Sequence, residues 1–174
     1  MDSGAEELRK KSKYKPKAVR LDALNWVLAG LKPISQVGDA LTVLKAKNHS
    51  ALTEVVQGRG NRDQLDILIA ALNMTEAYAI HGKGQDWLPE IKEGQDALYE
   101  MACRGVETDK FVFRGPEMQA VNLVMEIHDA QLEQSTVKEL EEMTAYVNKQ
   151  VRQMKARPIK TSEHQTTQEQ MQPV

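Results

Sequence analysis

Apolar residues recur at steps of three and four along most of the chain, the spacing that lines one face of a helix. Leu21, Leu24, Val27, Leu28 and Leu31 define a first helix over about 21–31, ended by Lys32-Pro33. A second is predicted over 37–46 with Val37, Leu41 and Leu44 inward. A short third covers 50–57, with His49 in the loop between them and Gly58 as the stop. Asn61 and Gln64 have the spacing of a capping box for a helix over 62–80. Leu65, Leu68, Ile69 and Leu72 line one side of it, and Ile67, Ala71, Met74 and Tyr78 another, as in the central helix of a bundle. Gly82 suits its C-terminal cap.

Asp86 is placed to cap the next helix, with Pro89 in its first turn and Gly105 as its end. Gly94 inside it costs about 1 kcal/mol relative to alanine and marks the close approach of another helix. Phe111-Val112-Phe113 is too brief for a sheet and reads as an extended clip or half of an edge hairpin. Pro116 opens a helix to about residue 133 that carries Val121, Leu123, Val124, Met125 and Ile127. Thr136 and Glu139 cap a last helix whose Val137, Leu140, Met143, Val147, Val151 and Met154 form a near-heptad seam. That seam suits packing on the parent bundle; pairing with a partner or with a second copy as a homo-oligomer is the alternative. The expected fold is all-α, an irregular bundle of six or seven helices over 19–157. A disordered basic arm (1–18) precedes it, and a disordered polar tail (158–174), rich in Gln and Thr, follows.

Charge changes this picture. Arg9, Lys10, Lys11, Lys13, Lys15, Lys17 and Arg20 are uninterrupted by any acid, so the first 20 residues carry +4 while the whole chain carries −2. Such an arm neutralises phosphates with salt-dependent, sequence-blind affinity, and Tyr14 within it can stack on a base. A solubilising tail without a ligand is the plainer reading. Two glycine turns also place cations just before helix N-termini, where free amides and the dipole favour anions. They are Gly58-Arg59-Gly60-Asn61-Arg62 and Gly82-Lys83-Gly84. Neither has P-loop spacing, and steric need alone accounts for glycine in such turns.

Glu126, His128 and Asp129 are the densest titratable cluster, but Glu126 and His128 are two apart and point away from each other, so no metal site is expected. His128 reads as a hydrogen-bonded histidine in or near the core. The single cysteine, Cys103, excludes an internal disulfide and reads as a small core residue. No nucleophile motif is present, so neither enzyme activity nor a cofactor is expected. No run approaches the ~18 apolar residues of a membrane span, nor does one follow the arm as in a secretory signal, so the expected location is cytoplasmic.

Four stretches resemble a group of small helical proteins of bacteriophages and mobile elements. They are Lys-Tyr-Lys-Pro-Lys-Ala-Val-Arg (13–20), Asn-Met-Thr-Glu-Ala (73–77), Gly-Gln-Asp-Ala-Leu (94–98) and His-Asp-Ala-Gln-Leu (128–132). The resemblance covers roughly 10–150 and carries no assigned activity. It implies a bacterial or phage context and a regulatory or host-interaction role. The expectation is a non-enzymatic regulator or inhibitor that binds a bacterial protein partner through a helical surface. The alternatives are a nucleic-acid accessory protein that uses the arm, and a binder of a small anion such as a nucleotide at the glycine turns.

Overall fold

The computed structural model describes residues 28–153 and residue 159. Five α-helices run through them: α1 (Ala40–Val56), α2 (Arg62–Ile80), α3 (Leu88–Thr108), α4 (Gly115–Glu133) and α5 (Val137–Arg152). Residues 28–30 are also helical, and short 3-10 turns cover Ile34–Gln36 and Gln85–Trp87. Among the described residues there is no strand, only an isolated bridge between Pro33 and Thr136. The fold is all-α.

Helix α2 is central, touching α1, α3, α4 and α5. Its two apolar sides explain this: Leu65, Leu68 and Leu72 are buried in the main core with Val55, Ile91, Leu98, Met101, Val121, Val124 and Met125. Toward its C-terminus, Ala77 and Tyr78 join Ile34, Leu132 and Met143 in a second cluster. Each such aliphatic side chain removed from water contributes about 1.5–3 kcal/mol. The predicted seam of α5 packs on this second cluster through Val137, Leu140, Met143 and Val147, whereas Val151 is 51% exposed.

The helices begin and end largely where side-chain chemistry dictates. Asn61 accepts from Asp63 N (2.7 Å) while Gln64 accepts from Asn61 N (3.1 Å). Thr136 and Glu139 form the second predicted capping box. Gly94 lies against α4: a Cβ there would stand 2.4 Å from Val124 Cγ2 and 3.2 Å from Ala120 O.

Four expectations are corrected. The stretches 37–46 and 50–57 are one helix, because no glycine or proline interrupts 47–50 and Asn48 is buried against α4. His49 is therefore helical. Gly105 does not end α3; it leaves room for the Phe111 ring, which a Cβ would meet at 2.2 Å, and the helix runs on to Thr108 with Asp109 left-handed (φ 54°). Asp86 sits in the Gln85–Trp87 turn and gives no side-chain cap to α3. Val37 is not inward: it is 39% exposed.

Candidate partner-binding surface

The described chain begins at Leu28 and crosses the N-terminus of α5. Ile34 N donates to Ser135 O and Val137 N donates to Lys32 O, both at 3.0 Å, and Ile34 is buried in the second cluster. These contacts fix the exit of the N-terminal helical residues against the α4–α5 turn. Lys83 secures that turn from the other side. Its ammonium donates to Gln134 O (2.9 Å), Ser135 Oγ (3.1 Å) and Glu139 Oε2 (2.8 Å). The Lys83 hydrogen bond, outweighing burial, holds the Glu139 carboxyl below its usual range.

On this anchored frame several apolar side chains remain in water. Leu28 is 52% and Leu31 56% exposed, beside Val37. Leu31 and Val37 line a cleft with Ala29, Val137 and Glu141. The periodicity that groups Leu28 with Leu31 was legible; that these two side chains do not pack on the bundle was not, and Leu21, Leu24 and Val27 of the same predicted stripe lie outside the described residues. Spacing defines an apolar stripe without saying which molecule covers it.

The predicted arm residues Arg9, Lys10, Lys11, Lys13, Tyr14, Lys15, Lys17 and Arg20 lie outside the described residues. The two glycine turns are described, and two of their cations, Arg59 and Lys83, have protein partners. Arg59 donates to both carboxylate oxygens of Glu54 (2.9 and 2.8 Å). Lys83 has the three acceptors given above. Gly58, Gly82 and Gly84 have φ of 72°, 98° and 90°, values open to glycine at little cost. Gly60 leaves space for Val55, whose Cγ2 a Cβ would meet at 2.5 Å. Arg62 is the first residue of α2.

The His128 cluster joins α1 to α4. His128 is 2% exposed, and its Nε2 lies 3.3 Å from Asn48 Nδ2. With that amide donating, the ring is the neutral Nδ1–H tautomer, and Nδ1 has no hydrogen-bond partner. Burial pushes its pKa down to about 4; the Asp129 charge opposes this, while His49 and Lys45 add to it. On the outer side His49 Nε2 meets Asp129 Oδ2 at 2.9 Å, and Lys45 reaches Glu133 (2.6 Å) and Asp129 (3.5 Å). A buried acid, Glu117, receives both Arg104 nitrogens (2.7 and 2.6 Å) and the Arg114 amide (2.8 Å). Burial raises its pKa, but these donors outweigh it and the net shift is downward. Both assemblies tie helices together, and neither sets a nucleophile beside a base.

Among the described residues no group of three or more His, Cys, Asp or Glu could hold a metal, and no helix is long and apolar enough to cross a membrane. Compared with protein-family models, curated proteins and solved structures, the chain finds no match.

Proposed function

We propose that the protein is a non-enzymatic regulatory or inhibitory protein of the phage or mobile-element kind, which binds a bacterial macromolecular partner through the surface around Leu28, Leu31 and Val37. The exposure of Leu28 and Leu31 carries this reading. Large aliphatic side chains held in water on a fixed frame are what a partner's apolar surface covers. The seven arm cations stand immediately upstream in the sequence and speed encounter with an acidic partner.

Affinity capture with the full chain, with nuclease and moderate salt, tests it. Wild type recovers a stoichiometric protein, and the Leu28→Asp/Leu31→Asp double variant loses it at unchanged thermal stability. Recovery of the same protein by both chains refutes the surface. The arm cations, uninterrupted by any acid, favour one second reading, nucleic-acid binding. It predicts a gel shift that weakens steeply with salt and disappears when the arm lysines and arginines are replaced by glutamine, with the leucine variant unaffected.

A further inference from the structure

The groove between α2 and α3 is floored by Leu72, Leu98 and Ala102, with Ile69 and Tyr99 beside them. Its rim is polar and bridged: Lys92 pairs with Glu76, and Gln95 donates to Asn73 Oδ1 (3.2 Å) and Glu76 Oε2 (2.8 Å). Asp96 also lines it, as does Ile159, which comes from the far end of the chain and packs half-buried against the main core. Arg152 ends α5, itself packed on α2. Seven residues reach at most about 25 Å, enough to turn back to the same helix.

We infer that this groove is the docking site of the chain's own C-terminal segment, with Ile159 as its anchor. Three observations converge. Ile159 is the one large aliphatic residue between Arg157 and Met171, so that stretch has a single apolar handle, and that handle is the residue found in the groove. Pro158 directly before it narrows the conformations open to the free chain, lowering the entropy lost on docking. The sequence around the anchor, Lys155-Ala-Arg-Pro-Ile-Lys160, has three cations and no acid, while α3 exposes Glu93, Asp96 and Glu100 on one face. Of these acids Asp96 lines the groove, so that wall is complementary in charge to the segment. A partner that uses the groove must first displace Ile159. The inference concerns a different face from Leu28–Leu31 and stands independently of the proposed function.

Two experiments on the full chain test it. In wild type, methyl-selective NMR should give cross-peaks from Ile159 Cδ1 to the methyls of Leu98 and Leu72; their absence overturns the docking. In the second, a labelled peptide of residues 153–164 is titrated into wild type and into Ile159→Asp. The variant's vacated groove should bind the peptide at least tenfold more tightly than wild type, the affinity should fall with salt, and a peptide carrying the same substitution should bind neither. Equal binding to both chains, or none to the variant, overturns the inference.

Discussion

The buried neutral His128 makes stability depend on pH in a range where few other groups contribute. Its folded pKa is about 4 against 6.5 for the free side chain. The unfolded chain therefore binds the proton first, and stability falls as pH drops through 6.5 toward 4. With 1.36 kcal/mol per unit, the full difference is about 3 kcal/mol, of which about 2 kcal/mol is lost between pH 7 and pH 5. The depressed carboxylates, Glu117 and Glu139, act mostly below that interval, since their contribution is lost only as pH falls past the ordinary carboxylate range toward their lowered values. Urea denaturation of wild type and His128→Gln at pH 7 and pH 5 isolates the histidine. Wild type should lose about 2 kcal/mol more than the variant across the interval, a factor of about 30 in the folded-to-unfolded ratio. Equal losses in the two chains would show that the imidazole is not buried as a neutral ring.

Other substitutions probe the packing and the caps. Gly94→Ala should destabilise by about 1–3 kcal/mol in thermal melts despite alanine's better helix propensity, because the stiff Val124 side chain and the Ala120 carbonyl occupy the space. Glu117→Gln should cost about 2 kcal/mol, since the Arg104 fork loses its charged acceptor; Glu117→Asp should not restore it, as the shorter arm cannot hold Arg104 and the Arg114 amide together. Thr136→Ala should cost about 1 kcal/mol by removing the acceptor for Glu139 N, with the loss seen as earlier hydrogen exchange in the first turn of α5.

Periodicity reached the fold class and the central place of α2, because a helix apolar on two sides has only one kind of position in a bundle. Local chemistry reached the caps at Asn61 and Thr136 and the close approach at Gly94. It failed where the reason for a residue lay in a distant one. Gly105 looks like a stop until Phe111 is seen to fill its missing side chain. Lys47-Asn48-His49-Ser50 looks like a loop until Asn48 is placed against His128, 80 positions away. Ile159 looks like part of a polar tail, and one isolated apolar residue gives no periodicity from which docking could be read. For the surface at Leu28 and Leu31 the stripe was legible, and what was lacking was any means to tell a stripe that packs inward from one that faces water.

The arrangement of charge narrows where recognition happens. In the body Lys45, Arg59, Lys83, Lys92 and Arg104 each pair with a carboxylate of the same chain. Recruiting any of these cations to a phosphate would mean breaking an existing pair. For Lys83 it would also loosen the α4–α5 turn that supports the exposed surface. On the proposed reading, the seven cations of the arm, with no acid among them, are the densest positive stretch of the sequence for a polyanion, and the exposed Leu28 and Leu31 that follow them are the surface for a protein partner. Neutralising Arg59 and Lys83 should accordingly leave polyanion affinity and its salt slope within twofold of wild type, while the Lys83 change alone lowers the melting temperature. A loss of affinity comparable to that of the arm variant would move the anion site back to the glycine turns.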